Sequence, residues 1–341
     1  MKKICLSFFC MFCFTSSQAQ VSLLDSLYNI AQKNSIYSAD ADWKILKAKG
    51  YQQLASSGQD SVAIVLPAFV WLLQQLHDMH SYIQYKDKMY GNPDAVTFNS
   101  QRWNKDIAAA AGTGKYAFRT QIIANQYAYI AVPPVLVNET ADEQEAFREI
   151  GRQAQRIADS LCKLQPAPVK GWIVDLRLNN GGSTPAIIGG LAPLLPEGEN
   201  LAFLKADGSK EVLSFNQGAL AYNGQQILQL ANKCSINPAL KVAVLIAGYT
   251  RSGGEHAAVC LKSRPNTRFF GQATGGLITG NETLFLRKDL VLTLSTAYAA
   301  DKNGQSYKQN ITPDVVTADG CNFEQLSKDN TILAAIKWLG Q

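Results

Sequence analysis

The chain has 341 residues, 47% hydrophobic and 17% charged, which suffices for one large domain or a medium domain beside a small one. Its formal charge of +5 includes Lys2 and Lys3, and no dense Lys/Arg block occurs, so nucleic acid is not expected as a partner. With three histidines and no C-x-x-C pair among the four of seven cysteines that lie beyond residue 19, neither a metal site nor a cofactor is expected.

Lys2 and Lys3 precede an apolar run over residues 4–14, followed by Thr15, Ser16, Ser17, Gln18 and Ala19. This pattern predicts a secretory signal peptide cut after Ala19, too short to span a membrane. Cys10 and Cys13 raise lipoprotein anchoring as an alternative, but no Leu-Ala-Gly type of box precedes either. Of the cysteines beyond the signal, Cys162, Cys234, Cys260 and Cys321, the spacing assigns no pairing, and buried free thiols are an equal expectation.

Residues 23–75 read as helices. Leu23, Leu24, Leu27, Ile30 and Ala31 recur at helical spacing, as do Trp43, Ile45, Leu46 and Ala48, with a break at Gly58. His77, Asp78 and His80 follow; a histidine in such a place is more often packed than catalytic. Residues 91–114 read as irregular. Strands are expected at 116–123 and 127–132, and a capping box at Thr140-Ala141-Asp142-Glu143 opens a helix with Phe147, Ile150, Ile157 and Leu161 on one face.

The buried strand over 171–177 runs into Asn179-Asn180-Gly181-Gly182, and a helix is expected from Thr184 to Leu195. Asp175 and Arg177 read as a structural ion pair. Residues 200–230 suggest a hairpin and a helix. A second apolar strand, from Lys241 to Ile246, ends at Gly248 and turns through Thr250-Arg251-Ser252-Gly253-Gly254 into a helix. Ser252 therefore sits where unpaired N–H groups of a helix N-terminus could hold an oxyanion beside a hydroxyl, although Ser and Gly also populate ordinary turns. Two such parallel strands would place both glycine turns at one sheet edge. Beyond lie a strand at 267–271, a Gly/Thr-rich loop over 273–281, a hairpin around Arg287-Lys288-Asp289 and a terminal helix at 332–339.

Taken together, Asp78-x-His80-Ser81, Asp175-Leu176-Arg177 with Asn180-Gly181-Gly182, Ser252-x-x-Glu255, Gly271-x-x-Thr274-x-Gly276 and Pro313-Asp314 resemble, in order, the motifs of the S41 peptidases, the tail-specific or C-terminal processing protease family. The resemblance covers the chain from about residue 23 onward. It implies an α/β fold, a crotonase/ClpP-like core with a small N-terminal helical domain: a signal at 1–19, a helical region with the D-x-H segment at 20–105, and a catalytic core at 106–341. Only about 35 residues separate Ser81 from the next strand, so no PDZ domain is expected.

Lysine-type members place their base 25 residues after the nucleophile, and that position is Leu277. The resemblance therefore implies a histidine-type enzyme, with Ser252 as nucleophile and His80 as base, and His256 as runner-up base. Asn281 is the expected third member, with Glu282 and Asp78 as rivals. Gly253 and Gly181 or Gly182 are expected to form the oxyanion hole, and Glu255 to brace the turn. The implied activity is a secreted or periplasmic serine endopeptidase acting on peptides or unfolded proteins, without cofactor. The alternatives are a non-catalytic peptide- or ligand-binding protein on the same fold, or an esterase.

Overall fold

The computed structural model describes residues 11–58, 60–95, 104–113, 118–137, 143–165, 167–231, 234–317 and 320–341. Most of the expected signal and of the capping box at 140–143 lies outside them. The chain opens with α1 (Met11–Asn34), α2 (Trp43–Gly50) and α3 (Ser61–Gln75), then the hairpin β1 (Tyr82–Tyr85) and β2 (Lys88–Gly91). Next come α4 (Lys105–Gly112), β3 (Arg119–Ile123), β4 (Tyr127–Ala131), α5 (Glu143–Leu164), β5 (Gly171–Asp175) and α6 (Thr184–Leu191). Four strands follow: β6 (Gly198–Lys205), β7 (Lys210–Asn216), β8 (Ala219–Tyr222) and β9 (Gln225–Gln229). The remainder is β10 (Lys241–Ile246), α7 (Gly253–Lys262), β11 (Thr267–Gly271), β12 (Thr279–Arg287), β13 (Leu290–Asp301), β14 (Ser306–Tyr307), β15 (Val315–Val316) and α8 (Asn330–Leu339). No helix among the described residues is long and apolar enough to cross a membrane.

Two compact units result, one of residues 1–99 and 281–297, the other of 100–280 and 298–341. The first has a core of Leu24, Leu27, Phe69, Leu72, Leu73, Ile83 and Leu292, where the apolar faces of α1 and α3 meet β1 and β13. Asp42 and Asp60 start α2 and α3 by accepting backbone N–H groups, from Ile45 and from Val62 and Ala63. β1 pairs antiparallel with β2 and with β13, Tyr82 opposite Thr293.

The second unit contains a six-stranded sheet in the order β15-β11-β10-β5-β4-β3. β4, β5, β10 and β11 are parallel neighbours, and β5 and β10 are buried along almost their whole length, as continuous apolar runs require. α6 packs closely on α5 because Gly189 and Gly190 carry no side chains; a Cβ on Gly190 would come within 2.3 Å of Ile157.

Three expectations are corrected. Residues 198–229 form the antiparallel meander β6 to β9, with no helix. Turns at Gly208, Gly218 and Gly224, all with positive φ, divide it, and alternating burial marks the strands. The stretch read as irregular contains α4, capped by the Asn104 side chain on the N–H of Asp106 at 2.8 Å. The loop after β11 is shorter than expected, because β12 begins at Thr279.

Cys162 and Cys234 form a disulfide across 72 residues of chain, while Cys260 and Cys321 are free thiols. Such a bond suits an oxidising compartment. In the chain-entropy account it stabilises by roughly 4 kcal/mol. Replacing both cysteines with alanine should lower the urea midpoint correspondingly; an unchanged midpoint would show that the bridge constrains nothing.

Candidate active site

β5 and β10 end side by side, Asp175 opposite Leu245, and each runs into its glycine turn at the same sheet edge. One backbone and one side-chain bond tie the two turns together: Arg251 N–H donates to Asn179 O at 3.0 Å, and Thr250 Oγ1 donates to Leu176 O at 2.8 Å. The Asn179 side chain adds a second tie. Its Nδ2 donates to the carbonyls of Val132 and Pro133, and its Oδ1 accepts the Gly181 N–H at 2.9 Å.

Ser252 has φ 50° and ψ −121°, a conformation few L-residues adopt and one that stores on the order of 1–3 kcal/mol. The surroundings hold it there. Its N–H lies 3.1 Å from both Leu277 O and Glu255 Oε2. The half-buried Ser252 side chain sits directly against Gly181, where an added Cβ would lie 3.3 Å from its Oγ. A Cβ on Gly253 would meet Gly182 O at 2.7 Å, and one on Gly182 would meet Val135 O at 2.2 Å. Glycine is thus imposed by backbone approaching backbone.

The expected oxyanion donors divide on this geometry. Gly181 commits its N–H to Asn179. The N–H groups of Gly182 and Gly253 have no partner among the described residues. Gly253 is the first residue of α7, where a helix leaves its N–H unpaired.

Glu255 is fully buried and accepts from Thr274 Oγ1 at 2.5 Å, Gly276 N–H at 2.8 Å and Ser252 N–H. It therefore braces the Ser252 turn against the 274–277 loop. Burial pushes its carboxyl up to about 7, against these hydrogen bonds. Since the folded value lies above the unfolded one, the neutral acid is favoured by folding. That stabilisation is complete below about pH 4.5 and is lost as the pH rises through 7, by about 3 kcal/mol in all. The difference in urea stability between the parent and Glu255→Gln should change by that amount between pH 4.5 and 8. A constant difference would contradict the assignment.

His256 is removed as a base. It is 3% exposed, Nε2 lies 3.1 Å from Ile278 O and Nδ1 lies 2.7 Å from Thr184 Oγ1. A carbonyl only accepts, so Nε2 carries the proton and Nδ1 accepts from the threonine hydroxyl. Burial lowers the imidazole to about 4, and Phe203 meets its ring edge-on. Leu277 occupies the position of the lysine-type base; it is buried, and its carbonyl touches the Ser252 N–H.

His80, Asn281, Glu282 and Asp78 belong to the other unit. His80 is half-buried in the turn between α3 and β1. Asp78 shapes that turn: its buried carboxylate accepts from the backbones of His80 and Ser81 at 3.0 and 2.9 Å, and from the hydroxyls of Ser81 and Ser295. The D-x-H-S spacing is thus that of a self-capping turn. Asn281 and Glu282 are half-buried neighbours on β12, so their side chains leave opposite faces of a strand and not of the loop expected there. Sequence reasoning passed over Asn179 and Thr184; only the first carried a signal, the doubled asparagine before Gly181.

A strained serine thus stands at a strand-to-helix turn, beside the amides of Gly182 and Gly253, which have no partner among the described residues. The model of peptidase family S41 matches residues 127–317, and the chain belongs to that family of serine peptidases. It is 31% identical over 173 residues to the nisin-resistance protein of Lactococcus lactis subsp. lactis, a match covering 50% of this chain and 49% of that one. The chain thus aligns with about half the length of that curated relative. Among solved structures it resembles a lipoprotein from Streptococcus agalactiae, with a TM-score of 0.67, 20% identity and coverage of 100% and 99% of the two chains. It also resembles the photosystem II D1 C-terminal processing protease, with a TM-score of 0.54, 14% identity and coverage of 91% and 96%. These likenesses show the shared fold.

Proposed function

We propose that this peptidase is an exported serine endopeptidase in which Ser252 attacks the peptide carbonyl. The backbone conformation of Ser252 carries the reading, because a non-glycine residue is held at φ 50° with its N–H donating to Leu277 O and Glu255 Oε2. The amides of Gly253 and Gly182 hold the oxyanion, and Gly181 serves as a spacer. His80, which the family motif assigns as base, takes the hydroxyl proton and returns it to the leaving amine, and Asn281 orients its ring. Export follows from the N-terminal signal pattern and agrees with the disulfide. A fluorophosphonate probe tests this reading: labelling should map to Ser252 and fall at least 100-fold in His80→Ala. Labelling elsewhere, or undiminished in His80→Ala, would refute the assignment.

A second reading names the substrate as an antimicrobial peptide of the nisin kind. The 31% identity to a nisin-resistance protein favours it. Incubation with nisin followed by mass spectrometry should show defined fragments, absent with Ser252→Ala. Intact nisin would exclude this substrate.

A further inference from the structure

Residues 133–137 follow β4, bridge a neighbouring segment at Val135 alone, and are not used by the proposed mechanism. Val135 lies in a parallel bridge with Gly182: its N–H donates to Gly181 O at 3.2 Å, and its carbonyl accepts from Ser183 N–H at 2.7 Å. Asn179 fastens the start of the run through the carbonyls of Val132 and Pro133. The run is therefore fixed against the very turn that carries the free Gly182 amide.

In extended backbone, polar groups alternate between the two edges and side chains between the two faces. Val135 turns its N–H and C=O to Gly181 and Ser183, so Leu136 turns its own the other way. Among the described residues nothing pairs with the N–H or C=O of Leu136, or with the C=O of Pro134. Val135 is 4% exposed, whereas Leu136 is 78% exposed, the most exposed large apolar side chain among the described residues. A leucine held open to water, on a backbone edge with no partner among the described residues and one strand away from the Ser252 turn, calls for an occupant.

We propose that residues 134–136 form a substrate rail, on which an extended peptide pairs as an added strand with the backbone of Leu136 and rests an apolar side chain on its isobutyl group. The inference rests on the peptidase reading, and it narrows the substrate to an unfolded segment with an apolar residue at a fixed distance from the cut. Backbone pairing would supply affinity and the Leu136 contact selectivity. A cross-strand neighbour opposite Leu136 leaves the pair on the same face, where an apolar partner is favoured.

The test uses the full chain and a mixed-sequence peptide library, with cut sites read by mass spectrometry. The parent should show an apolar residue enriched at one position relative to the cut. Leu136→Asp, at a site too exposed to threaten folding, should lose that enrichment and about tenfold or more in kcat/KM on the favoured peptides. Labelling of Ser252 by the small fluorophosphonate should stay within about twofold in the same variant. An unchanged cut profile and kcat/KM in Leu136→Asp would overturn the rail while leaving the catalytic reading intact. If the parent neither labels nor cleaves, the catalytic reading fails, and the rail is judged by retention of the same library on immobilised protein. Equal retention by parent and Leu136→Asp would then overturn it.

Discussion

On the proposed mechanism Ser252→Ala should remove peptide cleavage, with kcat falling on the order of 10⁴- to 10⁶-fold, as expected where one nucleophile carries the covalent step. Oxyanion donors and substrate contacts survive the change, so KM should move little. The same position makes a second, opposite prediction about stability. Alanine keeps the Cβ that makes φ 50° unfavourable, whereas glycine does not. Ser252→Gly should therefore unfold about 1–2 kcal/mol later than Ser252→Ala, with both inactive. Measuring both variants by urea unfolding separates strain from chemistry. Equal stabilities would mean the turn is relaxed, and a Ser252→Ala variant that still cleaves would remove the serine from the mechanism.

Arg177→Ala should be the most damaging substitution away from the nucleophile. The guanidinium is buried between two carboxylates, donating to Asp175 from Nε at 3.0 Å and Nη2 at 2.7 Å, and to both Asp329 oxygens from Nη1 at 3.0 and 2.8 Å. Phe323 covers its face at 4.7 Å, and Tyr129 donates to the same Asp175 oxygen that accepts from Nη2. Removing it strands two buried carboxylates, at a cost of about 5 kcal/mol, comparable with the whole stability of many proteins. The melting temperature should fall by on the order of 10 °C, or the chain should fail to accumulate. Arg177→Lys should rescue little, because one ammonium cannot reproduce two bidentate contacts. Changing the whole set, with Arg177→Met, Asp175→Asn and Asp329→Asn, should recover most of the loss, since no charge is then left unpaired. A mild Arg177→Ala, within about 1 kcal/mol of the parent, would show that water reaches the carboxylates.

The ion pair at Asp175 and Arg177 was legible as structural, but its second carboxylate was not. Asp329 lies 152 positions away, where it also caps α8 through the Ile332 N–H at 3.0 Å. Nothing local marks such a partner. The same limit applies to His256. Its place four residues after Ser252 suits a base, yet the fold carries it inward, where Thr184 and the Ile278 carbonyl occupy both ring nitrogens. The meander over 198–229 was misread in part because its half-buried strands are short and interrupted by glycine turns, which weakens the period of two.

Local chemistry decided what depends on neighbours along the chain: apolar runs that must be buried become β5 and β10, and glycines beside a serine become turns. It also shaped the turns at Ser252–Glu255 and Asp78–Ser81, because each closes hydrogen bonds within a few residues. Tertiary packing decided the rest. It tied the Gly181 amide to Asn179 and left that of Gly182 without a partner among the described residues, placed the Leu277 carbonyl against the Ser252 N–H, paired Cys162 with Cys234 and laid residues 133–137 along the glycine turn. Those choices depend on groups far apart in sequence competing for the same donor or the same space, and only a folded chain brings the competitors together.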